Sequence, residues 1–228
     1  MEKITRAIKF TVSERTGAVS GILTLPGKAK AIFILAHGAG AGMEHSFMET
    51  MSELLADEGI ASLRFNFPYT EKKGGRPNPA PILMETVRSA INYASQIDEN
   101  LPLFAGGKSM GGRMTSMALS NEPDARVQGI VFFGFPLHQP GNPSIERSKH
   151  LQNISVPMLF LQGTKDKLAD LSLLKPVIQS LREKASIHII DEADHSFHVP
   201  KRSGRNDEAV FKEVAKKAAQ WIEGLLSR

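Results

Sequence analysis

Ser109 stands in the run Gly107, Lys108, Ser109, Met110, Gly111, a G-x-S-x-G pattern. An apolar stretch at 103–105 precedes it and a small, apolar helical pattern follows. That context fits a nucleophile elbow, in which a strand turns abruptly into a helix at the serine. The serine backbone is strained there, and side chains two positions to either side would collide with it, so glycine fits both places. The turn lifts the hydroxyl above the sheet edge. It also sets it at a helix N-terminus, where backbone N–H groups and the helix dipole favour negative charge. Gly107, Lys108 and Ser109 also resemble the end of a phosphate-binding loop, G-x-x-x-x-G-K-[ST]. That loop needs glycine at position 102, which is Pro102.

A serine hydroxyl attacks a carbonyl only with a base beside it. His195 lies just past the apolar run at 186–190, and Asp166 just past the run at 158–161. Ser109, Asp166 and His195 thus all fall on loops beyond strand ends, in the order serine, acid, histidine. In these roles His195 takes the serine proton and Asp166 fixes the imidazole tautomer. Asp170, Asp191 and Asp194 are alternative carboxylates. Asp170 is placed to cap the following helix, and Asp194 directly precedes the histidine it would have to face. The oxyanion of such a reaction needs two donors: the Met110 N–H, and an N–H from the loop His37, Gly38, Ala39, Gly40, Ala41, Gly42. Ala39 is the first choice there and Gly40 the second. His37, beside the glycine loop, is expected to hydrogen-bond locally and shape the turn; with Gly40 and His138 it is also a candidate for the pocket lining, and a surface or capping role is the alternative for His138. His198, three residues past His195, has no acidic ligand set beside it and no H-E-x-x-H, so no metal is expected. Met110, Met114 and Met117, at helical spacing, read as core.

These residues need a sheet to hold them. Strands are expected at 8–12 and 19–25 as an antiparallel pair, then at 31–36, 61–67, 101–106, 127–133, 158–161 and 186–190, the near-continuous apolar runs of buried parallel strands. Helical periodicity appears at 46–57, 82–97, 110–119, 171–181 and 206–226. The alternation describes an α/β fold, a mostly parallel sheet of about eight strands flanked by helices, as one domain over 1–228.

Composition narrows the function. The hydrophobic share of 41% over 228 residues is that of a globular chain with a sizeable core. There is no cysteine, which excludes disulfides, zinc–thiolate sites and a cysteine nucleophile. The net charge of +4 is mild, and its basic clusters, Lys72, Lys73, Arg76 and Lys201, Arg202, Arg205, read as solvated loops. Neither nucleic acid nor membrane is an expected partner. The expected location is cytoplasmic and the assembly a monomer or homodimer.

The elbow, the acid and the histidine together resemble the α/β-hydrolase superfamily, closest to its small lidless branch, which is similar to dienelactone hydrolase. The resemblance implies Ser109, Asp166 and His195 as the triad and no cofactor. Dienelactone hydrolase itself has cysteine as nucleophile where this chain has Ser109. Larger members insert a lid before the strand at 158. Here only 22 residues separate Phe135 from Met158, so the site should be open to a small acyl substrate. The resemblance thus implies a carboxylesterase or thioesterase. A non-catalytic binding domain on the same fold is the alternative.

Overall fold

The structure is a computed structural model and describes residues 2–71 and 75–227. Eight strands form one sheet: β1 (Lys3–Ser13), β2 (Gly17–Pro26), β3 (Ala31–Ala36), β4 (Ile60–Phe65), β5 (Leu103–Lys108), β6 (Val127–Phe133), β7 (Met158–Gly163) and β8 (Ala185–Ile190). Their order is β1-β2-β4-β3-β5-β6-β7-β8. β1 and β2 pair antiparallel, β2 meets β4 antiparallel, and the other neighbours run parallel. The order turns back between β3 and β5, and beyond the carboxyl ends of strands at such a switch point open α/β sheets bind ligands.

Five α-helices cover the faces: α1 (Ser46–Asp57), α2 (Ala80–Ala94), α3 (Met110–Asn121), α4 (Leu171–Ser180) and α5 (Asp207–Leu226). Alternate strand residues point to opposite faces, so β3 sends Ile32 and Ile34 into one cluster and Phe33 and Leu35 into the other. The first cluster includes residues of α2, α3 and α4, and the second residues of α1 and α5. Among the described residues no helix is long and apolar enough to cross a membrane.

The expected elements are all present, most of them with shifted ends. β5 begins two residues later than its apolar run and continues through Gly106 and Gly107 to Lys108. Those glycines are strand residues. A Cβ on Gly106 would stand 2.0 Å from the Val131 carbonyl of β6, and one on Gly107 2.1 Å from the Ala36 carbonyl of β3. β4 stops at Phe65, because a single 3-10 turn, Pro68–Thr70, follows closely. α2 starts at Ala80 with Pro81 in its first turn, where a missing N–H costs nothing. Between β6 and β7 the chain makes a 3-10 helix, Glu146–Asn153, in place of a lid. Asp170 caps α4, accepting from the Ser172 N–H at 2.8 Å.

Candidate active site

Ser109 occupies the corner between β5 and α3 with φ 51° and ψ −115°. A positive φ in a non-glycine residue costs about 1–3 kcal/mol and persists only where its surroundings enforce it. Here Ser109 N–H donates to the Phe133 carbonyl of β6 and its own carbonyl accepts from Arg113 N–H. Gly111 lets the first turn of α3 press against β3, since a Cβ there would lie 2.2 Å from the Ala36 oxygen. A serine at a helix N-cap ordinarily turns its Oγ onto a helix N–H. Ser109 makes no such bond; its Oγ lies 2.8 Å from His195 Nε2.

His195 lies on the loop after β8, and its Nδ1 is 2.7 Å from Asp166 Oδ2. The Asp166 side chain is fully buried. Leu168 N–H donates to its Oδ1 at 2.7 Å and Gln162 Nε2 to its Oδ2 at 2.5 Å. These donors satisfy a buried carboxylate and fix its plane toward the imidazole. Gln162 itself is anchored by the Phe135 N–H, which donates to its Oε1 at 2.9 Å. The other carboxylates are occupied elsewhere. Asp194 Oδ1 accepts from the Ser196 and His198 N–H groups, shaping the histidine loop, and Asp191 Oδ1 accepts from Thr164 Oγ1.

The glycine loop packs directly on the elbow: a Cβ on Gly38 would stand 3.7 Å from Ser109 Cβ. Ala41 N–H donates to the Gly38 carbonyl, and Gly40 has φ 74°. This is a turn whose third residue needs a positive φ, the reason for glycine there. Ala39 lies at the turn's second position, where the N–H is not used by the turn, and it lines the cleft with Ser109. Met110 opens α3, and the first N–H groups of a helix have no intrahelical acceptor.

The cleft over Ser109 has a volume of about 460 Å³ and is walled by Phe47, Met48, Leu168 and Phe211, with Ala39, Lys108, His195 and His198 around the serine. The three candidates for pocket lining lie off it. His37 is completely buried. Its Nδ1 donates to the Gly38 carbonyl at 2.8 Å, and its Nε2 accepts from Phe67 N–H at 3.2 Å. Burial pushes its pKa down to about 4, so the neutral ring braces the base of the glycine loop. Gly40 faces an adjoining hollow with His45, Tyr69 and Gly75. His138 lies behind the acid loop, donating to the Gln139 carbonyl and accepting from Asp170 N–H at 2.9 Å. His198 pairs with Asp207 at the start of α5, Nδ1 to Oδ2 2.7 Å. Among the described residues no group of three or more potential ligands could hold a metal. Met114 is buried, and Met110 and Met117 pack against the same core. Of the basic loop, Lys72 and Lys73 lie outside the described residues, and Arg76 is exposed.

The role of Gln162 was not foreseen from sequence, although a glutamine near the end of an apolar strand is itself a signal, because a buried amide must find partners. Lys108, a charged residue inside an otherwise apolar elbow, carried a similar signal.

A sheet of this order, with a serine at the corner after β5 and a histidine after β8, is the architecture of the α/β hydrolases. The chain belongs to that family: the family model described as Alpha/beta hydrolase domain matches residues 29–223. Among solved structures it is similar to dienelactone hydrolase from Anabaena variabilis ATCC 29413, with TM-score 0.78, 20% identity, and 98% of this chain and 99% of that one covered. It is also similar to a serine hydrolase without lid from Xanthomonas campestris, with TM-score 0.74, 16% identity, and 95% and 94% covered. A curated protein of Mycobacterium tuberculosis (strain ATCC 25618 / H37Rv), provisionally named a phosphoribosyl transferase, is 26% identical over 208 residues, 90% of this chain. The chain spans 43% of that relative's length.

Proposed function

We propose that this protein is a serine hydrolase acting on ester-type bonds, a carboxylesterase or thioesterase, through an acyl-enzyme on Ser109. The observation that carries the reading is the unbroken relay from Ser109 Oγ through His195 to the buried Asp166, with both contacts under 3 Å. His195 takes the hydroxyl proton as Ser109 attacks the carbonyl, and Asp166 stabilises the imidazolium that forms. Met110 and Ala39 N–H groups receive the oxyanion. His195 then protonates the leaving alcohol or thiol. Water, deprotonated by His195, attacks the acyl-enzyme and releases the acid. No metal or cofactor has a part in these steps.

The apolar walls from Phe47, Met48, Leu168 and Phe211 suit a small acyl or aryl group, and the open edge suits a substrate that needs no lid. Structures named as hydrolases or esterases, such as the esterase domain of a Rhodothermus marinus protein, with TM-score 0.72, 17% identity, and 96% and 97% covered, are consistent with this class. The transferase name of the longer curated relative is not carried over, because this chain spans less than half of that protein.

The test is labelling of the purified protein with a fluorophosphonate probe and mass mapping of the adduct. An adduct on Ser109, lost together with short-chain ester turnover in Ser109→Ala, is the expected result. A folded protein that takes no adduct would favour the non-catalytic binding domain instead.

A further inference from the structure

We propose that Lys108 is a positioning residue for the reaction at Ser109, holding the main chain of His195 so that the imidazole stands over the hydroxyl. The inference rests on the triad reading and adds a component to it. Lys108 precedes the serine in the elbow, and its Nζ donates to the His195 carbonyl. The result is a closed ring. Ser109 Oγ meets His195 Nε2, the His195 backbone meets Lys108 Nζ, and a peptide bond joins Lys108 to Ser109. A hydrogen bond between two loops fixes one distance, whereas a ring through both main chains also fixes their relative orientation.

The surroundings of the amine argue for this use. It lies 5.8 Å from the centroid of Phe47 and 5.4 Å from that of Phe197, aromatic faces that tolerate a cation. Gly134, at the end of β6, leaves the room: a Cβ there would stand 3.1 Å from Lys108 Nζ and 3.4 Å from His195 Nδ1. Among the described residues no carboxylate lies within ion-pair distance of it. Asp166 and Asp194 act on it only through their fields, and burial pushes its pKa down to about 8. A half-buried amine without a carboxylate partner is costly to keep, and a methionine would fill the same space. The His195 carbonyl is its one hydrogen-bond partner among the described residues. The rest of the histidine loop has other ties, through Asp194 to Ser196 and His198 and from Lys165 N–H to the Ala193 carbonyl.

The test compares wild type with Lys108→Met, which keeps the apolar stem and removes the donor. Turnover of a short-chain ester is expressed per site titrated with the fluorophosphonate. The expected result is a kcat per titrated site lower by about 10- to 100-fold, a labelling rate lower to match, and a KM changed by less than about twofold. The chain has no cysteine, so Lys108→Cys offers a single thiol. Its aminoethylation in denaturant, followed by refolding, restores an amine of nearly the same reach and should restore kcat. Wild type taken through the same cycle sets the refolding yield. An unchanged kcat per site in Lys108→Met overturns the proposal alone, even if less folded protein is recovered. Loss of folding in both variants would reduce Lys108 to a packing residue and overturn it too. A wild type that takes no adduct overturns the triad reading and this proposal with it.

Discussion

The carboxylate of Asp166 is held by two donors besides His195, from Gln162 and Leu168, and this determines what its replacement should do. Asp166→Asn keeps the size but presents an amide N–H or a weaker acceptor to the imidazole, favouring the wrong tautomer. The expected result is a fall in kcat of about 10⁴-fold with the fold retained, measured as ester turnover alongside thermal melting. A variant within tenfold of wild type would show that another carboxylate serves His195. Strand ends and chain order limited the choices for Ser109, Asp166 and His195, and the fold brings these three side chains into contact. For His37 the expected local hydrogen bond beside the glycine loop is present, whereas the ring does not line the cleft. The sequence shows that this residue ends a strand beside a glycine loop, but not that its ring turns back toward Phe67 and Thr70 beneath that loop. Which way a side chain leaves a strand end is decided by the neighbouring strand, here β4 and the turn after it.

At the scale of elements, the long helix α5 depends on a vacancy in β6. A Cβ on Gly129 would lie 2.7 Å from Trp221 Cη2 and 3.2 Å from Phe104 Cδ1. The indole meets Phe104 edge-on, centroids 6.2 Å apart. Gly129→Ala should therefore overpack this contact and destabilise the protein by about 1–3 kcal/mol, read from urea unfolding. In a Trp221→Leu background the same change should cost less, because the two sites share one space. Equal costs in both backgrounds would place the strain elsewhere. The element boundaries show how far periodicity reaches. The runs at 31–36 and 127–133 matched β3 and β6 to the residue, because their positions are apolar or small apart from the exposed Gln128 and their neighbours are strands. β5 runs two residues past its expected end at Gly106, because the pair Gly106 and Gly107 reads as a turn. Their missing side chains answer to carbonyls of β6 and β3, which no local pattern announces.

Over the whole molecule, buried histidines tie stability to pH. His37 and His150 both have pKa values lowered to about 4, chiefly by burial. Their unfolded value is near 6.5, so between about 6.5 and 4 the unfolded chain binds protons that the folded protein refuses. Stability is then fully present above 6.5 and falls as pH drops through that window. For the completely buried His37 the loss is roughly 3 kcal/mol; His150 retains some exposure and contributes less. His198 acts oppositely, since Asp207 raises its pKa, and its effect falls above 6.5. Carboxylates held low by their partners, such as Asp124 beside Arg126, act at more acidic pH. Urea unfolding at pH 7, 6 and 5 should show a progressive decline, and equal stability at all three would contradict it.

The oxygen of Ala36 is the atom that a Cβ on Gly107 would strike at 2.1 Å and a Cβ on Gly111 at 2.2 Å. Ala36 is the last residue of β3, and the next residue begins the glycine loop. One carbonyl therefore gauges both the entry to the corner and the exit from it, while its own chain leads to Ala39. An elbow of this kind is not a portable cassette. Grafted into another parallel sheet, residues 107–111 would keep their shape only beside a strand that ends in the same register, and such a strand would bring its own loop to the serine. Engineering that exchanges the nucleophile segment between hydrolases should therefore move the neighbouring strand end with it.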